Sequence, residues 1–319
     1  MSLNKLKEAV AEVLPKVEAV IAYRQGPDGM HAVPFFVTKP EQIEQLVWSP
    51  GCVQNLASYL PSLKNKKIAV VVKGCDSRTI IQYLQEGLIK RDDVTIIGIP
   101  CTGIISVRKV RQATNQQPIL KWEVDGGGNL VVTTPKGEQK LAISDISPGK
   151  CKTCQYPTPL IADVLVDEPI QSDKPAETVY ADVEEFEKKP IEERLAYWLK
   201  EFDRCIRCYA CRNACPMCVC QDSCIAETRD PNWVSQKAAL PEKAMFHMIH
   251  ALHLAGRCVE CGECERVCPM DIPVAKLKKK INLEMKKLFN YAPGVSEEEK
   301  PPLYTFQVEE EKIEEHKLS

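Results

Sequence analysis

Two copies of one cysteine run constrain what this 319-residue chain can fold into. The first is Cys205, Cys208, Cys211 and Cys215, followed by Pro216; the second is Cys258, Cys261, Cys264 and Cys268, followed by Pro269. Each reads C-x2-C-x2-C-x3-C-P, a spacing that suits a [4Fe-4S] cubane. Three closely spaced thiolates reach three corners of one cubane. The fourth cysteine leaves in a turn or short helix and, where two clusters are present, ligates the other one. Cluster one is therefore expected on Cys205, Cys208, Cys211 and Cys268, and cluster two on Cys258, Cys261, Cys264 and Cys215. Tetrahedral zinc also takes C-x2-C pairs, but it uses two separated pairs per site, without a third cysteine at the same spacing.

Sixteen cysteines would mean disulfides in a secreted chain. The opening MSLNKLKEAVAEVL reads instead as a charged amphipathic helix, not a secretory leader. No apolar run reaches the length of a membrane span. Clustered C-x2-C spacing then points to metal, and oxygen-sensitive clusters point to an anaerobic cytoplasm. A net charge of −2 leaves no footprint for nucleic acid or anionic membrane.

The N-terminal half is expected to be α/β (α+β). A helix leads into a strand at Ala19–Tyr23, a turn at RQGPDGMH and a second strand at HAVPFFVTK. KKIAVVVKGC and DDVTIIGIPC are continuous apolar strands of the kind buried on both faces of a parallel sheet. DSRTIIQYLQEGLIKR between them is a helix with apolar residues at Ile80, Ile81, Leu84 and Leu88 and a cap at Asp76 or Ser77. The three form a βαβ unit. Cys75 and Cys101 fall at the carboxyl ends of its strands, where open α/β sheets place their ligands. KWEVDGGGNLVVTT is an antiparallel hairpin. The C-x2-C pair Cys151 and Cys154 is half a metal site, and Cys75 and Cys101 complete four thiolates for a third [4Fe-4S] cluster; Cys52 is a fifth candidate able to replace either. Asp76, Ser77 and Arg78, at the start of the helix, are either an ordinary cap or a place where backbone N–H groups hold a phosphate.

DEPIQSDKPAETVYADVEEFEKKP reads as a linker. Beyond it the chain turns helical: IEERLAYWLKEFDR runs into Cys205, LPEKAMFHMIHALHLAG separates the cysteine runs, and IPVAKLKKKINLEMKKLF follows Pro269 with its lysines expected on a solvated face. His247, His250 and His253 are ligands, proton carriers or partly exposed helix residues. Cys218, Cys220 and Cys224 are alternative ligands, share a site with a partner, or are unligated.

GIPC at Cys101, GKCKTC followed by ADVLV, and KGCDSR at Cys75 resemble the coenzyme F420-reducing hydrogenase/dehydrogenase β-subunit family over roughly residues 45–166. Residues 200–285 resemble the helical two-cluster ferredoxin modules of heterodisulfide reductase and succinate dehydrogenase iron-sulfur subunits. The resemblance implies cluster ligation by Cys101, Cys151 and Cys154, and by Cys75 through analogy. It also implies a flavin (FAD or FMN) beside that cluster, although no G-x-G-x-x-G occurs in the chain. The expected architecture is then a β-subunit-like domain over residues 1–178 with a parallel βαβ core, a mainly α-helical two-cluster ferredoxin domain over 179–294, and an extended charged tail over 295–319. The expected function is electron relay between a flavin or redox partner and a catalytic subunit of a redox complex. The alternative is a flavoenzyme that itself oxidises or reduces F420 or NAD(P)H.

Overall fold

The computed structural model describes residues 3–27, 29–220, 224–226, 235 and 237–306. The tail expected over 295–319 therefore lies partly outside the described residues, as does Asp28 of the expected turn. Helix α1 (Leu3–Val13) precedes β1 (Ala19–Gln25), which pairs antiparallel with β2 (Ala32–Val37). The βαβ unit follows as β3 (Ile68–Val72), α2 (Gly74–Gln85) and β4 (Val94–Gly98), with β3 and β4 parallel. Helix α3 (Val107–Ala113) leads to a separate antiparallel sheet of β5 (Lys121–Val124), β6 (Asn129–Thr134) and β7 (Gly137–Ala142). The expected hairpin thus gains a third strand. Strand β8 (Val164–Leu165) completes the first sheet, whose order is β2-β1-β3-β4-β8.

Every residue of β3 is buried, because both faces of the sheet are covered. Ala69 and Val71 face Leu6, Val10 and Val13 of α1. Ile68, Val70 and Val72 face Leu56, Leu60 and Ile80 on the other side. Burial of each such aliphatic side chain contributes roughly 1.5–3 kcal/mol. That is why the strand reads as an unbroken apolar run rather than an alternating one.

Helix α2 departs from expectation in two ways. It starts at Gly74 with Lys73 as N-cap, so Asp76 is the third helical residue and accepts the Lys73 N–H at 3.2 Å. It is also covered on its polar side. Ser77, Thr79 and Gln82 are as buried as Ile80, and each of several polar groups finds a specific partner. Asn55 donates to Thr79 Oγ1 at 2.8 Å, and Leu160 N–H donates to Ser77 Oγ at 2.9 Å. Toward the C-terminal half, Arg78 donates to Pro293 O, Tyr83 OH donates to Pro216 O, both at 2.8 Å, and Arg257 clasps the Glu86 carboxylate. Helix α2 thus joins the sheet to the cysteine-rich half.

The expected linker is not free. Ser172 Oγ donates to Cys154 O at 2.6 Å, and Ile170 N–H donates to Thr158 Oγ1 at 2.7 Å. Residues Ala181–Glu187 form α4, with Val183 buried. Helices α5 (Ile191–Asp203), α6 (Leu240–Leu252) and α7 (Val274–Phe289) build the C-terminal half, with α6 packed against both others and α4 against α7.

Candidate metal centres

The repeat in the sequence is a repeat in the backbone. Arg207 and Glu260, two residues after the first cysteine of each run, have φ of 51° and 57°. Tyr209 and Gly262, one residue after the second, have φ of 58° and 71°. Left-handed backbone at three non-glycine positions is costly and is held only where the surroundings impose it. Each run thereby curls before a single helical turn, Ala210–Asn213 or Glu263–Arg266.

The fourth cysteines of the runs cross over. Cys268 packs in one buried group with Cys211 and Cys264, with Cys205 at its edge. Cys215 packs with Cys258 and Cys218 around Met217, Leu254 and Tyr83. Burial pushes the Cys211 and Cys258 thiols up to about 12. Between the runs lies Lys278, 1% exposed, with its Nζ 3.3 Å from His250 Nε2 and the thiols of Cys264, Cys215 and Cys258 around it. It forms no ion pair with a carboxylate among the described residues.

The four N-terminal cysteines also come together. Cys75 in the first turn of α2, Cys101 beyond β4, and Cys151 and Cys154 around the single turn Gly149–Lys152 all line one cavity of about 1460 Å³. Burial pushes Cys75 up to about 12 and Cys101 to about 11, and raises Cys154. The chain approaches itself closely here: a Cβ on Gly74 would stand 1.7 Å from Tyr156 O, so only glycine fits. Cys215, Cys258, Cys261 and Cys264 line the same cavity. Cys52 does not: it is fully buried in the sheet's core, where Ser49 N–H donates to its Sγ at 3.4 Å.

Asp76, Ser77 and Arg78 are engaged within the protein. Asp76 pairs with Lys73 Nζ at 2.8 Å, Ser77 Oγ donates to Gly74 O at 2.8 Å, and Arg78 bonds Pro293 O and stacks over Tyr156. The N–H groups of Asp76 and Ser77 donate to Lys73 O. Little is left at this helix start for a phosphate.

His247 and His250 are buried, not partly exposed as one expectation had it. His247 stacks on Phe202 at 4.8 Å between ring centroids, and burial pushes it down to about 4. His250, Cys215 and Cys218 offer ligand atoms all within 4.8 Å of one another. Cys220 is exposed and Cys224 packs at the edge of the Cys211 group. Three lysines were missed in the sequence. Lys278 belongs to the buried stripe Val274, Lys278, Asn282, not to a solvated face; its four-residue spacing from Val274 was a usable signal. Lys73 and Lys150 are placed by tertiary contacts alone.

A family model for the C terminus of coenzyme F420 hydrogenase/dehydrogenase β subunits matches residues 65–189, and a 4Fe-4S dicluster domain model matches residues 204–272. The chain joins an F420 hydrogenase/dehydrogenase β-subunit domain to a 4Fe-4S dicluster domain. It is 27% identical over 352 residues to an F420-dependent formate dehydrogenase subunit beta of Methanocaldococcus jannaschii, covering 91% of this chain and 90% of that protein. It is 27% identical over 347 residues to the F420-dependent formate dehydrogenase 1 subunit beta of Methanococcus maripaludis, covering 90% and 89%. A solved structure of the F420-reducing [NiFe] hydrogenase complex of Methanosarcina barkeri holds a chain 17% identical, with a TM-score of 0.37 over 48% of this chain and 58% of that one. No helix among the described residues is long and apolar enough to cross a membrane.

The donor set fits iron-sulfur clusters. Buried thiols must lose protons to bind metal, and an anionic cluster supplies the counter-charge that Lys278 lacks. A carboxylate-rich site would instead suit a hard cation; here sulfur dominates.

Proposed function

We propose that this chain is the iron-sulfur electron-transfer subunit of an anaerobic, cytoplasmic, multi-subunit oxidoreductase. It relays electrons between a flavin or redox partner and a catalytic subunit of hydrogenase, formate dehydrogenase, heterodisulfide-reductase-like or methylenetetrahydrofolate-reductase type. The two relatives favour formate dehydrogenase. The observation that carries the reading is the shared cavity: the N-terminal cysteine quartet and most of the second run line one space.

In this reading residues 1–178 form the β-subunit-like domain and 179–294 the ferredoxin domain. Cys205, Cys208, Cys211 and Cys268 hold one cluster, and Cys258, Cys261, Cys264 and Cys215 hold the second, as the crossed packing of Cys268 and Cys215 supports. Cys75, Cys101, Cys151 and Cys154 hold a third. A [4Fe-4S] cluster supplies a one-electron centre whose potential follows charge, hydrogen bonding and exposure. The chain's part is to hold the thiolates, to keep water from them, and to set the charge around them.

The size of the cavity favours a second reading, in which a flavin shares it and the chain itself exchanges hydride with F420 or NAD(P)H. Pockets for small molecules run to roughly 1,000 Å³, and this one is larger. The groups of Asp76, Ser77 and Arg78 are engaged elsewhere, so Arg111 and Lys152 on the cavity wall are better placed for a phosphate. Anaerobic purification from the native host decides: the relay reading expects co-purifying catalytic subunits and electron transfer only in their presence. Fast dye reduction by reduced F420 or NAD(P)H with the isolated chain, together with stoichiometric flavin, would replace it with the flavoenzyme.

A further inference from the structure

Lys150 stands where the two halves of the chain meet. Its ammonium donates to Cys261 O in the second cysteine run and lies 3.9 Å from Cys75 Sγ in the N-terminal quartet. Its stem crosses directly over Gly262, where an added Cβ would stand 2.9 Å from Lys150 Cδ. The repeat explains why this matters. The equivalent position in the first run is Tyr209, which holds nearly the same left-handed φ with a full side chain. The backbone conformation alone therefore does not demand glycine in this loop, whereas the passage of Lys150 does.

We propose that Lys150 positions the junction between the N-terminal cluster and the second-run cluster and raises the midpoint potential of both. This rests on the reading above that both sites hold clusters. Reduction adds one electron and one negative charge to a cluster without breaking a bond. A fixed cation a few ångströms away in a poorly hydrated interior stabilises that added charge. The opposing charges nearby are already engaged: Glu263 pairs with Arg266 at 2.7 Å, Glu260 accepts from Asn282 at 2.8 Å, and Asp76 pairs with Lys73. Lys278 lies among the thiols of the two runs but does not touch the N-terminal quartet's Cys75 as Lys150 does. Lys150 is thus the cation shared across the junction, and it makes the junction easier to reduce than the first-run cluster at the far side.

The test uses the full-length protein, reconstituted anaerobically as wild type, Lys150→Met and Lys150→Arg. Iron and sulfide are counted, and midpoints are read by EPR-monitored redox titration. Lys150→Met is expected to keep its iron, to lower the midpoints of the N-terminal and second-run clusters, and to leave the first-run cluster unchanged; Lys150→Arg stays near wild type. Unchanged midpoints in iron-replete Lys150→Met overturn the proposal. Wild-type protein with about eight irons, two cubanes rather than three, defeats the third-cluster reading alone. The midpoint of the second-run cluster then still decides the role of Lys150, since the bond to Cys261 O remains. If Lys150→Met loses iron, Lys150→Gln, which keeps a donor for that carbonyl without the charge, is titrated in its place and judged by the same two outcomes.

Discussion

Asp76→Asn should destabilise the protein by about 3–5 kcal/mol, the cost of leaving one partner of a buried ion pair uncompensated. Lys73 and Asp76 are both 1% exposed, with Nζ and Oδ2 2.8 Å apart. Burial alone would drive the Lys73 pKa down; the Asp76 carboxylate, followed by Tyr23, outweighs it and holds the ammonium charged. Once Asp76 is neutral, only Tyr23 OH at 2.6 Å and Gln54 O at 2.9 Å remain to it. At roughly 2–4 °C per kcal/mol for a unit of this size, the melting temperature should fall by about 10 °C. Circular dichroism melts under anaerobic conditions, with urea midpoints as a second measure, read the change. The double variant Lys73→Met/Asp76→Leu removes both charges and should recover most of the loss, because a buried pair replaced by apolar residues is close to neutral. About 1 kcal/mol of loss should persist, since Asp76 also accepts the Lys73 N–H. A cost below about 1 kcal/mol for Asp76→Asn, or a double variant worse than the single, would show that the pair is not the buried, mutually dependent unit described. The variant also reports on the metal centre, because Cys75 is the neighbouring residue in the same helical turn.

Three further outcomes are expected. Cys215→Ser should alter the EPR signal of the cluster held mainly by Cys258, Cys261 and Cys264; damage confined to the first-run cluster would refute the crossed ligation. Cys101→Ser or Cys154→Ser should lower bound iron by about four per chain, one cubane's worth, whereas Cys52→Ser should leave it unchanged; equal iron in all three would remove the third cluster. His247→Phe should raise stability by roughly 1 kcal/mol, since both ring nitrogens are buried without a hydrogen-bond partner among the described residues. The His247 pKa is lowered from 6.5 to about 4 by burial, so the folded state resists protonation and its stability falls as pH drops between those values. A melt series across that range should slope less in the variant, and identical slopes would refute the assignment.

The iron-sulfur character of the chain was determined by sequence alone, because cubane ligation depends on local cysteine spacing and that spacing is written twice. The βαβ core was equally legible: β3 and β4 are short apolar runs separated by a helix, and their pairing follows from that order. The convergence of Cys75, Cys101, Cys151 and Cys154 could be inferred only from where strands end, and Cys52 competed with them on equal terms. The tertiary structure separated these cysteines, sending Cys52 into the core and the other four to the cavity wall. What only the tertiary structure decided is the charge. Lys73, Lys150 and Lys278 are hydrophilic letters in sequence and read as surface, yet each is held inside by partners 3, 75 or more residues away: Asp76 for Lys73, Cys75 and Cys261 for Lys150, His250 for Lys278. Periodicity reports which face of an element is apolar. It does not report that α2's polar face is itself covered by the second half of the chain, since that depends on how the halves dock, and docking is set by contacts far apart in sequence.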